Sequence, residues 1–271
     1  NAHNDFFEEI AKYRVARKMW ATAMRDRFGA RDERSHKLRF HAQTSGVTLT
    51  AQQPYNNVVR TTLQALAAVL GGANSLHINA LDEALALPTR EAALLALRTQ
   101  QILAYETGTP SVIDPLGGSY YIETLTGELE TSARGYFEEI DRRGGMVASI
   151  EAGYPQREVA NSAYRAQQAF DRGESPLVGV NQYVDGAPLS VPTLLIDDQV
   201  AAQQLERIES VRKSRNETSA FRALEALGRA AKGTDNLMPL IIEAARTEAT
   251  LGEMCDTLRS VWGEYEESPV I

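Results

Sequence analysis

Two short stretches of the chain place polar side chains in a row, and such a row could hold a polar ligand. Residues 38–44 and 75–79 both alternate between apolar and polar side chains, which predicts two β-strands with one polar face each. The polar members are Arg39, His41 and Gln43 in the first strand and Ser75, His77 and Asn79 in the second. Both faces of a helix-covered parallel sheet are buried, so these polar groups need partners. A ligand inside a barrel would supply them; the alternative is that the two rows bond each other or water.

A carboxylate follows the second polar row. Glu83 lies just beyond the predicted strand end, and residues 44–46 form a small polar loop after the first strand. In parallel barrels the loops after the strand C-termini build the active site. Glu83 would there accept hydrogen bonds from a ribose or another ligand hydroxyl. Its alternative role is that of a surface carboxylate at the start of a helix.

Several common catalytic and binding motifs are missing from the sequence. It contains no G-x-G-x-x-G pattern after a strand, no G-x-x-x-x-G-K-[ST] loop and no H-E-x-x-H pattern. The histidines lack zinc-ligand spacing with the single Cys255, so no metal site is expected. Residues 117–119 do not form the G-x-S-x-G nucleophile elbow. The sequence therefore argues against a hydrolase and against a nicotinamide-dependent enzyme.

Length, charge and cysteine content limit the possible partners. The chain has 271 residues, a net charge of −8 and a pI near 5.2, which argues against a basic face for nucleic acid. A single Cys excludes an internal disulfide, and no apolar run approaches the ~20 residues of a membrane span. We expect a cytoplasmic protein with neither a nucleic-acid nor a membrane partner. Because the chain starts at Asn1 and runs directly into an amphipathic helix, we also expect that an N-terminal part precedes it.

Helical and strand-like periodicities alternate over the first half of the chain. Helices are predicted at residues 4–28, 56–70 and 88–107, and strands at residues 38–44, 75–79 and 111–114. This order is typical of parallel α/β units. Three strands cannot close a barrel, which needs about eight. The segment is therefore either a small open sheet or part of a barrel completed elsewhere.

The second half of the chain is predicted to be mainly helical. The expected helices span residues 127–143, 157–172, 198–215, 217–232 and 236–261, and residues 179–187 are irregular or a short strand. We thus predict an α/β fold in two parts. Residues 1–126 form the barrel-like part, and residues 127–271 form a helical C-terminal region that packs on it.

Several longer motifs resemble the methylmalonyl-CoA mutase family. They lie at residues 38–46, 49–57, 75–89 and 114–120, with shorter ones at residues 144–146, 179–181 and 249–254. The motifs occur in the family's order and spacing, and together they extend over nearly the whole chain. The resemblance implies a TIM barrel, of which this chain would carry the last three strands. Coenzyme A would thread along a polar lumen, and the acyl group would meet adenosylcobalamin at the C-terminal mouth.

The resemblance also implies roles for individual residues. His41 and Gln43 are similar to active-site positions under the corrin ring, and Asn79 and Glu83 to the pair that hydrogen-bonds the adenosyl ribose after the cobalt–carbon bond opens. The remaining matched positions are Thr44, Gly46 and Leu87, which pack on the corrin in the family, and Ser75, which contacts coenzyme A. Arg39 and His77 lie on the same inward faces, and we expect them to line the lumen on the substrate side. Gln43, Asn79 and Glu83 are accordingly the predicted catalytic residues.

Residues 50–57 and Val47 resemble the large subunits of split mutases, in which cobalamin sits on a separate small subunit. Consistently, the chain contains no D-x-H-x-x-G cobalamin-ligating motif. The implied partners are an acyl-CoA, a small cobalamin-binding subunit or domain and an N-terminal barrel segment, with a GTPase metallochaperone as a further candidate. That segment would carry the residues that grip the acyl substituent, so we expect this piece alone to be inactive.

The implied activity is an isomerase reaction, a radical carbon-skeleton rearrangement that interconverts methylmalonyl-CoA and succinyl-CoA. Isobutyryl-CoA and 2-hydroxyisobutyryl-CoA are alternative substrates. Two other classes stay open from the residues alone. One is a non-catalytic assembly module derived from a mutase. The other is a different cobalamin-dependent barrel enzyme, such as a diol dehydratase or glutamate mutase, which would not bind coenzyme A.

Overall fold

The computed structural model describes residues 1–184 and 190–266, in which helices predominate and the strands form a small parallel sheet. The strands are β1 (His41–Gln43) and β2 (Ser75–His77). The helices are α1 (Phe6–Thr22), α2 (Asn56–Leu70), α3 (Arg90–Tyr105), α4 (Tyr120–Arg142), α5 (Met146–Glu151), α6 (Tyr154–Asp171), α7 (Asp198–Ser214), α8 (Glu217–Ala230), α9 (Met238–Arg246) and α10 (Leu251–Trp262). This agrees with the coarse prediction of an α/β part and a mainly helical remainder.

The sheet is parallel, as the predicted order of elements requires. His41 pairs with Ser75 and Gln43 pairs with His77 in register. On the other side of β1, the backbone of Ala2 forms a parallel bridge, in which its N–H donates to the Gln43 carbonyl (2.7 Å). Three successive chain segments, each followed by a helix, therefore end side by side at one edge of the sheet.

Small residues allow α1 and α2 to pack closely on one face of this sheet. Ala42 is buried against Tyr13 of α1 and Ala68 of α2. Tyr13 also stacks on Phe40, with ring centroids 4.9 Å apart. Gly71 ends α2 beside the same ring, where a Cβ atom would lie only 2.5 Å from the Tyr13 ring. The apolar members of the alternating strands thus face the helices, which leaves the polar members on the opposite face.

The prediction of a third strand at residues 111–114 was wrong. Thr109–Ser111 form a short 3-10 helix, and Asp114 has a φ of 48°, which no extended strand tolerates. The Arg14 guanidinium of α1 holds the Asp114 carboxylate at 2.9 Å and the Glu123 carboxylate at 2.7 Å. These hydrogen bonds fix a turn that leads directly into α4. Residues 111–114 contain only two apolar side chains, Val112 and Ile113, and periodicity over so short a stretch cannot separate a strand from a turn.

Other helix boundaries also differ from the sequence prediction, and α5 was not predicted. The first helix ends at Thr22 and continues as a π-helix over Ala23–Arg27. Helix α4 begins at Tyr120, whereas the sequence prediction placed its start at residue 127. Ser119 and the preceding turn place Tyr120 and Tyr121 in the first turn of the helix. The single helix predicted at residues 236–261 is two helices, α9 and α10. Glu248 has a positive φ of 63°, and Thr250 with Glu253 forms a capping box that starts a new helix.

The described chain divides into two compact units, Asn1–Leu195 and a second that begins at Ile196. The predicted division between residues 126 and 127 falls inside α4, and it stays a prediction about domain organisation. Within the segment predicted as irregular or strand, Val178 and Gln182 form an isolated bridge, whereas residues 185–187 lie outside the described residues. No helix in residues 1–184 and 190–266 is long and apolar enough to cross a membrane.

Candidate active site

The two polar rows lie side by side on the sheet face that the helices leave open. The His41 Nδ1 atom lies 2.8 Å from the Ser75 hydroxyl, directly across the parallel pair. His41, Ser75 and His77 are exposed, and Gln43 is half-buried. Arg39 precedes β1 on the same row and is also exposed. The predicted lumen-lining residues therefore share one open, polar face, although part of their hydrogen bonding is between the rows.

Asn79 joins the two strand ends. It is 2% exposed, and its backbone N–H donates to the Thr44 hydroxyl at 2.9 Å. Its side-chain amide is satisfied when the nitrogen donates to the Thr44 carbonyl oxygen (3.2 Å) and the oxygen accepts from the Gly46 N–H (3.3 Å). The terminal amide of Gln43 lies 3.1 Å away. Thr44, Gly46 and Asn79 are therefore connected by hydrogen bonds at the C-terminal edge of the sheet, and the Gln43 amide lies against them.

Gly46 brings the loop after β1 against the loop after β2. A Cβ atom at this position would lie 3.0 Å from the terminal amide of Asn79 and 3.6 Å from Glu83 Oε1. Because Asn79 is buried and held by Thr44, it cannot give way to a larger residue. The glycine thus permits an exposed carboxylate and a fixed amide to lie next to each other.

Exposed apolar side chains accompany this polar cluster. Leu87, in the same loop as Glu83, is 57% exposed, and Val47, next to Gly46, is 86% exposed. Large apolar side chains on a loop that also carries an exposed carboxylate suit a ligand with both a hydroxylated and a flat apolar part. Within the described part of the chain, no group of three or more His, Cys, Asp or Glu side chains could hold a metal ion.

Helix α2 carries a set of buried polar residues that the sequence motifs did not predict, namely Asn57, Thr61 and Gln64, which are 0%, 2% and 1% exposed. They face the sheet and loops where an amphipathic helix normally presents apolar residues. The sequence feature that could have predicted them is the spacing of the two amides, Asn57 and Gln64. Residues seven apart in a helix lie on the same face. Both amides hydrogen-bond to the loops described above.

Comparison with known proteins identifies the family. The model of the family described as methylmalonyl-CoA mutase matches residues 1–264. The chain therefore belongs to the methylmalonyl-CoA mutase family. The resemblance inferred from the sequence motifs is confirmed, and a cobalamin-dependent barrel enzyme of another family is excluded.

Individual relatives within the methylmalonyl-CoA mutase family carry two kinds of name. The chain is 46% identical over 271 residues to the 2-hydroxyisobutanoyl-CoA mutase large subunit of Aquincola tertiaricarbonis. The matched region covers 99% of this chain and 48% of that protein. It is 45% identical over 269 residues to the methylmalonyl-CoA mutase of Rhizobium meliloti, covering 98% of this chain and 38% of that protein. The mutase of Escherichia coli is 44% identical over 262 residues, or 96% of this chain and 37% of that protein. The chain thus spans about half or less of the length of these relatives.

Proposed function

We propose that this chain forms part of an acyl-CoA mutase, an isomerase that carries out an adenosylcobalamin-dependent radical rearrangement of the carbon skeleton. The observation that supports this proposal most directly is that Asn79 and Glu83 meet beside Gly46 at the strand ends, with the Gln43 amide 3.1 Å from that of Asn79. These are the residues that the family resemblance marks as catalytic. The chain's membership in the mutase family supports the same reading.

The short sheet belongs, in this proposal, to a TIM barrel that residues outside this chain complete. Three parallel segments end at one edge, and their polar side chains share one face. Parallel strands with an exposed polar face are unusual unless that face lines a lumen or a ligand site. The open face bearing His41, Ser75 and His77 would then become the lumen along which coenzyme A passes. Arg39 would lie at the other end of the same row.

The residues present fit adenosylcobalamin. When bound, this cofactor supplies a homolytic cobalt–carbon cleavage that starts the rearrangement. Glu83, as an exposed carboxylate, would accept hydrogen bonds from the ribose hydroxyls, and Asn79, held in place by Thr44, would be the second residue on the ribose side. Exposed Leu87 would supply apolar surface for the corrin, together with residues 44–46. His41 and Gln43 would help to hold the corrin from the sheet side, as the family resemblance implies.

Water exclusion is the other task of the protein in such a reaction, since a reactive radical must not meet competing donors. The open sheet face and the exposed loops can exclude water only when other segments cover them. The proposed partners are therefore a small cobalamin-binding subunit or domain, which covers the strand ends, and an N-terminal barrel segment. The name of the Aquincola relative, a large subunit, supports the split arrangement. A GTPase metallochaperone is a further proposed partner.

Methylmalonyl-CoA, in exchange with succinyl-CoA, is the proposed substrate. The second candidate is 2-hydroxyisobutyryl-CoA, which is favoured by the 46% identity to the Aquincola relative. Isobutyryl-CoA is a third. The three esters differ in what their acyl substituent needs: a cation for a free carboxylate, a hydrogen-bond partner for a hydroxyl, or an apolar wall. The proposed location is the cytoplasm.

The test is an isomerase assay on the full-length protein with a small cobalamin-binding subunit, adenosylcobalamin and each of the three CoA esters. We expect turnover of methylmalonyl-CoA that requires the cofactor and falls at least tenfold in Gln43→Ala and Glu83→Ala. Turnover of only one of the other esters would move the assignment to that substrate.

A matched control is Glu106→Ala, which removes an exposed carboxylate at the far end of α3. It should leave turnover unchanged. A folded complex that neither binds CoA esters nor isomerises any of them would refute the enzyme assignment and leave a non-catalytic assembly module.

A further inference from the structure

Helix α2 carries two buried amide side chains where a packed helix usually carries apolar ones. Asn57 is 0% exposed and Gln64 is 1% exposed. A buried amide that lacked partners would be costly, so the contacts of these two residues indicate what they are for. All of the polar atoms of both amides are engaged, and most of their partners lie in loops rather than in the helix.

Gln64 holds the loop after β1. Its Oε1 accepts from the Ser45 N–H at 2.9 Å, and its Nε2 donates to the Thr48 hydroxyl at 2.7 Å. The same Nε2 donates to Asn4 Oδ1 at 2.6 Å, at the end of the segment that bridges β1. Because Oε1 faces a backbone N–H, the orientation of this amide is unambiguous. One side chain thus fixes the residues on both sides of Gly46.

Asn57 holds the other end of that loop and the loop after β2. Its side chain accepts from the Thr50 N–H (3.1 Å) and donates to the Thr50 carbonyl (2.9 Å), in the manner of a strand partner. Its Nδ2 also donates to the Leu81 carbonyl at 2.9 Å. Leu81 lies between Asn79 and Glu83. Arg60 donates to Asn57 Oδ1 at 2.8 Å and completes the amide's partners.

We propose that Asn57 and Gln64 are positioning residues that set where Gly46, Asn79 and Glu83 lie relative to one another. Together, the side chains of Asn57 and Gln64 form a clamp. This clamp acts across the gap between the two loops, where Gly46 approaches Asn79 closely. This inference rests on the proposed function for its consequence, since the three clamped residues are the proposed cofactor contacts. The clamp itself is defined by hydrogen bonds alone.

The experiment compares two variants with a control on the same helix. Gln64→Met and Asn57→Leu keep the approximate side-chain volume but remove every loop hydrogen bond. Thr61→Val is the matched control, because Thr61 is 2% exposed on the same face but its hydroxyl donates only to the carbonyls of Asn57 and Val58 within α2. All are made in the full-length protein with its cobalamin-binding partner.

Three measurements separate a positioning role from a simple loss of stability. Peptide-level hydrogen exchange over residues 45–50 and 79–83 should quicken at least about tenfold in the two clamp variants and stay unchanged in Thr61→Val. The kcat for the CoA ester should fall about 10–100-fold, as expected for a small displacement of contact groups, while KM stays within about twofold. The dissociation constant for adenosylcobalamin, from absorbance titration, should rise in the same variants.

If Gln64→Met does not fold, Gln64→Glu replaces it, since its carboxylate still accepts from Ser45 but cannot donate to Asn4 and Thr48. The Gln64→Glu variant should show smaller changes in the same direction in hydrogen exchange, kcat and cofactor affinity. The proposal would be overturned if the clamp variants had the same hydrogen-exchange rates in the two loops and the same kcat as Thr61→Val. If the unmodified protein isomerises no ester, the proposed function fails, and the exchange rates still decide whether the clamp exists.

Discussion

The side-chain amides of Gln43 and Asn79 lie 3.1 Å apart, although 36 residues separate them in the chain. Gln43 closes β1, and Asn79 stands two residues beyond the end of β2. Their proximity follows from the parallel pairing of the strands, which brings both C-terminal ends to one edge. This contact links the predicted corrin-side residue to the predicted ribose-side residue, so a change in either should affect the other.

Asn79→Ala should lower the kcat of the assembled mutase on the order of 10–100-fold, because the amide orients neighbouring groups and is itself a proposed cofactor contact. The measurement is a steady-state isomerase assay with saturating adenosylcobalamin. Asn74→Ala is the matched control: Asn74 Oδ1 accepts from the Phe40 N–H (3.0 Å) at the opposite end of β1. Equal losses in the two variants would contradict a specific role for Asn79.

Gly46→Ala should weaken adenosylcobalamin binding without unfolding the protein. The added Cβ atom would lie 3.0 Å from the terminal amide of Asn79, which is buried and hydrogen-bonded to Thr44, so the loop after β1 must move instead. We expect the dissociation constant from absorbance titration to rise about tenfold. Gly127→Ala is the control, since nothing lies within 4 Å of its Cβ position and the helix should gain about 0.5–1 kcal/mol. Unchanged cofactor affinity in Gly46→Ala would show that the loops need not approach so closely.

Tyr13→Phe should raise the free energy of unfolding by about 1 kcal/mol, because the buried Tyr13 hydroxyl has no hydrogen-bond partner among the described residues. Burial, together with the charge of Glu9, raises the pKa of Tyr13 to about 12 from its ordinary value of 10.0. In an unfolded chain the phenol ionises near pH 10, so the wild type should lose stability between about pH 10 and pH 12. Urea unfolding at pH 7 and across this alkaline window measures both effects.

Tyr105→Phe serves as the comparison for this variant, because Tyr105 is 85% exposed and its hydroxyl is solvated. It should leave the midpoint of urea unfolding unchanged at pH 7. A Tyr13→Phe protein that is less stable than wild type would show that the hydroxyl has a partner that stabilises the fold.

In the second unit, Glu253→Gln should reduce stability at neutral pH but not in acid. Two hydrogen bonds of 2.7 Å from the Arg215 guanidinium hold the pKa of Glu253 at about 2, below its ordinary 4.5. A depressed carboxylate pKa contributes stability above pH 4.5 that is lost as the pH falls towards 2. The difference between wild type and variant, about 1–2 kcal/mol after solvent screening, should therefore vanish across this range.

Trp262 fluorescence reports this unfolding in a Trp20→Phe background, because the Trp262 indole donates to the Ala231 carbonyl (2.9 Å) in the same unit. Glu225→Gln is the control, since its pair with Arg229 is exposed on both sides (55% and 65%) and should contribute at most about 0.5 kcal/mol. A pH-independent difference for Glu253→Gln would show that the carboxylate does not act through its charge.

The periodicity of apolar side chains correctly predicted helices that bury one face, such as α2 and α3. Helix α2 begins and ends where the sequence prediction placed it, and α3 begins after Pro88 with Thr89 as its cap. The alternation at residues 38–44 correctly predicted which side chains of β1 are buried. Such patterns are readable because an element with one buried face must repeat apolar residues at its own period.

Specific hydrogen bonds, one set between distant residues and one set within a single turn, decided the features that were mispredicted. Residues 111–114 form a turn because Arg14, one hundred residues earlier, holds Asp114. The break between α9 and α10 depends on a capping box that lies inside a continuous helical pattern. Local periodicity contains no information about either interaction, because in each case a specific hydrogen bond outweighs the helical or extended preference.

The sequence by itself determined the parallel α/β order, the polar rows and, through its motifs, the mutase family. Only the tertiary structure decided that Gly46, Asn79 and Glu83 meet, and that Asn57 and Gln64 hold the loops that carry them. The reason is physical. Composition and spacing specify what each element buries, whereas the separation of two loops depends on hydrogen bonds between residues that become neighbours only after the strands have paired.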